Sequence, residues 1–503
     1  MNMTLTQSDP SLAAHSRAAP SLTARSATLP GTTGPSRPPI DADNRRVLVY
    51  PVNRTSDWWR YIGQNLGWGA STVVTDIRGV GDISVVDDFY AELARLRPQR
   101  APGSSLLDEH QTVDVIARCR LLRWLDPHLA RCMVHAMALA FDRVLEQVKP
   151  RLVLSFPIDR YVTDVLERLA HARGIRYLEL TTSVVPGMSM LLYRGELIQS
   201  RQPADPETVR AKVNEIASPT FLPTYVQKKS KFTRAKFVRT LGYFRVRGLA
   251  FKLISWFKRD PLNLHYLDAQ PFLGHKCRWK DIRVVDLCDA GWRGKMAAFP
   301  RERRVLFGLQ LFPEASIDYW LRNVELIDHE NLVVEAARAF SDQGFMVLVK
   351  DHPQQFGFRQ TELLDRLRAI PHVVIVPYDI SGNEMLTLAG VNFTCTGTLG
   401  LQAALAGLTS VVTESYYAQD QDFLVFRQRS EVPGLAARAA GHQPEAPLEV
   451  RRKRIIGHLL RGSFDGDYFS FMKFNPAHPN PAALQLAQAL GRRLDQLVDE
   501  GQL

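Results

Sequence analysis

Lys350, Asp351, His352 and Pro353 follow directly on a short apolar run at 345–349. A cation, an acid, an imidazole and a helix-stopping residue at a strand end form either an ordinary turn or the rim of a ligand site. A His there can hydrogen-bond a phosphate oxygen as an N–H donor or as a cation. Pro353 would hold the loop so that the imidazole stays at the strand edge. Two other loops share the pattern of a strand ending in polar groups. "GLQLFPEAS" offers Gln310 and Glu314, and "TCTGTLG" offers Thr396, Gly397, Thr398 and Gly400. In the last of these, Gly397 allows close backbone approach, and the helix that follows presents free N–H groups and the positive end of its dipole. Such a place suits an anion, above all a phosphate. Read alone, the same residues also make a plain N-cap with a packing glycine. The three loops in this order are more specific than any one of them.

These loops need elements that bring them together. Apolar strands are expected at 45–53, 71–77 and 150–156, and again near 176–180, with helical spacing over 84–98 and 110–148. Gly174 should end the helix that precedes the last of these strands. The same alternation returns at 303–316, a helix near 328–343, a strand at 345–350, a helix near 359–369, a strand at 372–377, a short helix near 383–389, and strand, turn, helix and strand over 391–415. Continuous apolar strands alternating with amphipathic helices predict parallel sheets with helices on their faces. Parallel strands all point one way, so the three loops should gather at one sheet edge. The expected organisation is a disordered Ser-, Thr-, Ala- and Pro-rich tail at 1–44, a first α/β unit at 45–200, a basic helical insert and linker at 201–300, a second α/β unit at 301–480, and a closing helix at 481–503. The cleft between two such units is the default site.

Composition bounds the rest. With 503 residues the chain exceeds one core; 45% hydrophobic and 23% charged residues are ordinary for a soluble protein. No apolar run reaches the ~18–20 residues of a membrane span, and no basic-then-apolar signal pattern opens the chain. Cys119, Cys132, Cys277, Cys288 and Cys395 are scattered without a CxxC pair, which argues for a reducing cytoplasm and against a structural zinc site. The net charge is +11, and residues 228–259 alone hold eleven Lys and Arg with no Asp or Glu. Aromatic and aliphatic residues lie among these cations. The segment fits an amphipathic helix on the anionic inner face of the cytoplasmic membrane, and equally a connector whose apolar face packs on a domain. No nucleic-acid-binding pattern is present.

"KDHPQQ" followed by "TCTGTLGLQAALAG", with "LQLFPEAS" before both, resembles the C-terminal half of bacterial capsular-polysaccharide biosynthesis proteins, a group that includes Kdo transferases and is distantly similar to sialyltransferases with an HP motif. The resemblance is good over 303–417 and loose over 45–196. It implies an α/β fold of the GT-B-like kind, with two Rossmann-like domains facing a cleft, the nucleotide-sugar donor in the second and the acceptor in the first. It further implies transfer of a sugar to a surface glycan or lipid-linked acceptor, without a metal or other cofactor. By resemblance, His352 and Pro353 contact the donor phosphate, Thr396 and Thr398 place hydroxyls near it, and Glu314 lies near the nucleotide. The Thr-Gly-Thr pattern leaves the donor open between CMP- and UDP-linked sugars. Lys350 would support the phosphate charge, and Asp351 is expected to face solvent. The first unit should then supply a base for the acceptor hydroxyl. Asp159, beside Arg160 in "FPIDRYVTD", is the first candidate, although an Asp at a helix start is often only its cap. Asp57 is the second. His110, His128 and His135 read as surface or satisfied core residues, and Asp465 and Asp467, a DxD spacing, as a turn rather than a metal site. The alternatives to a transferase are a nucleotide-sugar epimerase of similar fold and a non-catalytic scaffold of polysaccharide assembly.

Overall fold

Val47, Leu48, Val49 and Tyr50 are all buried, as a strand covered on both faces must be. In the computed structural model, which describes residues 45–52, 55–218, 221, 232–258, 262, 278–311 and 314–503, they form β1 (Val47–Tyr50), an interior strand of a first sheet. The expected tail at 1–44 lies outside the described residues. β2 (Ser71–Thr75), β3 (Ile83–Ser84), β4 (Leu152–Ser155) and β5 (Arg176–Thr182) join β1 in parallel. β6 (Met188–Tyr193) and β7 (Glu196–Leu197) add an antiparallel edge. Alternate β1 residues face opposite cores. Leu48 and Tyr50 pack with the helices Val86–Leu96, Pro127–Val148 and Tyr161–Ala172. Val47 and Val49 pack with Ser56–Gln64 and Pro481–Asp499. Each such side chain contributes roughly 1.5–3 kcal/mol when fully buried.

The second sheet is parallel throughout. β8 (Arg304–Gly308), β9 (Met346–Lys350), β10 (Val373–Ile375), β11 (Val391–Phe393), β12 (Thr409–Val412) and β13 (Leu424–Val425) run in the order β10-β9-β8-β11-β12-β13. The helices His329–Asp342, Thr361–Arg368, Gly382–Leu388 and Thr398–Leu405 connect them. The described residues fall in one compact unit, and an apolar cluster joins the sheets: Met190 and Leu192 of β6 meet Leu401, Leu405 and Val412.

Two expectations change. The stretch 110–148 is two helices, Glu109–Arg118 and Pro127–Val148, because Asp126 caps the second and Pro127 occupies its first turn. Gly174, at φ +69°, does end the helix before β5. The second unit does not run to 480. At β14 (Ser463–Asp465) the chain pairs antiparallel with β6, and the closing helix brings Gly491 against the Leu66 carbonyl, where any Cβ would collide. Residues 463–503 therefore complete the first sheet. The 201–300 segment is helical where described, chiefly Pro206–Ile216 and Arg234–Lys258.

Candidate functional site

The carboxyl ends of β8, β9 and β11 lie side by side, and a hydrogen-bond network joins the loops that leave them. Leu309 N–H donates to the Lys350 carbonyl at 3.0 Å. Gln310 is buried and pairs reciprocally with Thr396: its Nε2 donates to Thr396 Oγ1 at 2.8 Å, and its Oε1 accepts from the Thr396 N–H at 2.9 Å. Arg359, also buried, donates through Nη2 to the Gln310 carbonyl at 2.6 Å and to Asp351 Oδ1 at 2.9 Å, with Nε adding a 3.1 Å bond to the same oxygen. One guanidinium and one amide thus tie the three loops to each other.

Asp351 does not face solvent. It is 1% exposed, accepts from Arg359, from the Tyr378 hydroxyl and, at 2.8 Å, from the His352 N–H. A charged residue after a strand reads as solvated when its partner is invisible, and Arg359 lies eight positions on with no local signature. Lys350 is buried as well and donates to the carbonyls of Asp351 at 3.1 Å and Tyr378 at 3.3 Å. Burial holds its pKa below the ordinary range, with Asp351 opposing. Its ammonium braces the loop from beneath.

His352 caps the short 3₁₀ turn Pro353–Gln355, with Pro353 in its first position. Its Nδ1 accepts from the Gln354 N–H at 3.2 Å, so the neutral ring carries its proton on Nε2. Burial lowers the pKa; Asp351 opposes this, and Arg359 and Lys350 add to it. The ring is a neutral N–H donor at pH 7. In the loop after β11, Gly397 is the N-cap of the helix Thr398–Leu405 with ordinary extended dihedrals. Its lack of a side chain serves packing: a Cβ would come within 2.8 Å of Thr394 Oγ1. At Gly400 a Cβ would stand 2.6 Å from the Tyr417 hydroxyl and 2.7 Å from Val412. The first-turn N–H groups open at Thr398, which is partly exposed.

Glu314 is partly buried and precedes the short helix Ala315–Asp318. Burial pushes its pKa up to about 7; Ser316, Arg120 and Gln310 oppose the rise. Arg120 comes from the first half of the chain, next to the helix Glu109–Arg118. Arg118 donates to the carbonyls of Asp318 at 3.0 Å, Leu321 at 2.7 Å and Arg322 at 3.0 Å. Arg120 Nε lies 3.0 Å from the buried Asp318 carboxylate. Its Nη2 donates to the Asp159 carbonyl at 3.3 Å. Arg120 therefore bridges the loop of Glu314 and the loop of Asp159.

Asp159 follows β4, and its side chain is 38% exposed. It accepts from Arg160 Nε at 3.1 Å and does not cap the helix Tyr161–Ala172, whose N-cap position is Arg160. Arg160 itself is buried beside Asp76, at 3.7 Å. Glu179 of β5 fixes this loop by accepting from the Ile158 N–H at 3.3 Å; burial pushes its pKa up to about 7. Asp57 lies exposed in the first turn of Ser56–Gln64. His135 is buried with Ser104 Oγ at 3.1 Å. Asp465 ends β14 and Asp467 accepts from Phe469 N–H at 2.8 Å. Among the described residues no group of three or more His, Cys, Asp or Glu is placed to hold a metal ion.

N–H donors stand in two of the three loops, at Thr398 and at His352 Nε2, and Arg120 links the loop of Asp159 to the helix that follows Glu314. Sequence reading reached His352, Gln310, Thr396 and Asp159 but missed Arg120, Asp351, Arg359 and Tyr378. Their partners are distant in the chain, and only the acid wedged between Lys350 and His352 gave a local hint.

No family model matches the chain, and no curated protein matches it. Solved structures do. The Thermosulfurimonas dismutans KpsC β-Kdo 2,4 transferase is similar at 13% identity over 67% of this chain and 87% of its own, with a TM-score of 0.31. A glycosyltransferase from Rickettsia africae ESF-5 is 10% identical over 91% and 98%, TM-score 0.27. The UDP-GlcNAc 2-epimerase from Methanocaldococcus jannaschii is 8% identical over 82% and 98%, TM-score 0.23. At TM-scores this low the likeness assigns no chemistry, and that assignment rests on the residues.

Proposed function

We propose that the chain is a glycosyltransferase that moves a sugar from a CMP- or UDP-linked donor to a growing surface glycan or a lipid-linked acceptor. The observation that carries this reading is the hydrogen-bonded convergence of the Gln310, His352 and Thr396 loops at one sheet edge. The donor phosphate would sit against the N–H groups at Thr398 and His352 Nε2. An acceptor hydroxyl oxygen would attack the anomeric carbon as the bond to the phosphate oxygen breaks, and the electron pair would leave on the phosphate. The donors at the helix start and His352 would stabilise that charge without a metal ion. Asp159, partly exposed, would take the hydroxyl proton. A cytoplasmic enzyme held at the inner membrane face through 228–259 would meet such acceptors there; residues 228–231 and 259 lie outside the described residues.

The test is a transfer assay with labelled CMP-, UDP- and GDP-sugars. His352→Ala should lower sugar transfer by about 10²–10³-fold, the size of losing one such donor. Unchanged transfer by His352→Ala would remove His352 from the reaction.

A further inference from the structure

The helix Arg234–Lys258 is 25 residues long, about 37 Å, and its two halves have different surroundings. The first half is anchored. Phe237 and Leu241 are buried in the core of the second sheet. Phe232 lies against Phe356 and Tyr378, with ring centroids 5.2 and 5.3 Å apart, and Phe244 meets Phe358 at 4.4 Å. Gly357, at φ +90°, lets the chain pass beneath Thr240, which a Cβ would meet at 3.3 Å. The segment clamped in this way, 356–358, begins three residues after Pro353.

The second half carries Val246, Leu249, Leu253, Trp256 and Phe257, each between 52% and 75% exposed. Single exposed apolar residues are commonplace; five within twelve positions are not. At about 100° per residue they fall on one stripe roughly 100° wide. By the same register, Arg245 lies on one flank of the stripe and Arg247 on the other. Between 234 and 258 there are seven cations and no acid. No helix among the described residues is long and apolar enough to cross a membrane.

We infer that residues 246–257 form a lipid-seating stripe that lies in the surface of an anionic bilayer while the first half of the same helix braces the His352 loop. An apolar stripe between two basic flanks matches acyl chains below and anionic headgroups at the sides. A second copy of the chain does not fit, because it would set one cation-rich helix against another. The stripe begins two residues after Phe244, about 3 Å along the axis, so the brace on 356–358 and the lipid contact are consecutive stretches of one helix. The sense of this placement rests on the transferase reading, in which the acceptor is carried on the membrane; the lipid contact itself does not.

The test is flotation of the full chain with vesicles of phosphatidylcholine alone or mixed with phosphatidylglycerol. The triple variant Leu253→Ser, Trp256→Ser, Phe257→Ser changes only exposed side chains, and an unchanged melting curve verifies its fold. The wild type should float with the anionic vesicles and at least tenfold less with neutral ones. The triple variant should bind the anionic vesicles at least tenfold more weakly, and Arg245→Ser with Arg247→Ser should also weaken binding severalfold. The inference is overturned if the wild type stays unbound, if the triple variant floats equally well, or if the wild type is a dimer that the triple variant converts to monomer. Nucleotide binding by the triple variant, measured in parallel, separates the two readings: vesicle failure with nucleotide binding intact removes only the lipid stripe.

Discussion

Asp351→Asn is the sharpest probe of how the three loops are held together. The change keeps the shape of the side chain and removes its charge. In the wild type, Asp351 and Arg359 are each 1% exposed and lie 2.9 Å apart. Asp351 also accepts from Tyr378 and from the His352 N–H. The variant leaves a buried guanidinium without its counter-charge, a loss of about 3–5 kcal/mol. For the second sheet and its helices, 301–462, unfolding as one cooperative unit, each kcal/mol lowers the melting temperature by about 2–4 °C. The expected drop is therefore roughly 6–20 °C by differential scanning calorimetry. Arg359→Met in the same chain removes the stranded charge and should recover at least half of that drop, because replacing both members of a buried pair is far less costly than removing one. A drop under about 2 °C for the single variant, or a double variant as unstable as the summed singles, would refute the keystone role of the pair.

Other changes test neighbouring links. Gln310→Leu strands the buried Thr396 N–H and hydroxyl; it should cost about 1–3 kcal/mol in thermal unfolding and weaken nucleotide binding. Gly400→Ala drives a methyl to within 2.6 Å of the Tyr417 hydroxyl; a loss of about 1–3 kcal/mol is expected, and a neutral outcome would show that the helix start can shift freely. Glu314 has a folded pKa of about 7 against an ordinary 4.5. The folded chain thus holds a proton that the unfolded chain gives up, so this group costs stability progressively as pH rises through that window. With partial exposure discounted, Glu314→Gln should gain about 1–2 kcal/mol on the wild type between pH 5 and pH 8. Parallel pH profiles of the two proteins would contradict this.

Much of the frame can be read from the chain because local periodicity and tertiary need agree. The apolar runs that became β1, β4, β8 and β9 are buried on both faces, and parallel pairing alone brings the three polar loops to one edge. The misses share one cause. Apolar spacing runs on through "LLRWLDPHLA", so one long helix was expected although Asp126–Pro127 is a helix-start pair. β14 is three residues long and is defined by pairing with a strand over 270 positions earlier, which no local pattern announces. Asp351 and Arg120 acquire meaning only from Arg359 and from the Glu314 loop. The basic segment was expected to be either a packed connector or a surface helix; along Arg234–Lys258, Phe237 and Leu241 of the first half are packed, while Val246, Leu249, Leu253, Trp256 and Phe257 of the second are exposed.

Isothermal titration of CMP, UDP and GDP into the wild type and His352→Ala tests the central claim most directly. The account predicts that one of these nucleotides binds the wild type and that His352→Ala weakens that binding by about tenfold or more, the size of a lost hydrogen bond to a charged group. No heat from any of the three with a properly folded wild type, or equal affinity for the variant, would contradict it.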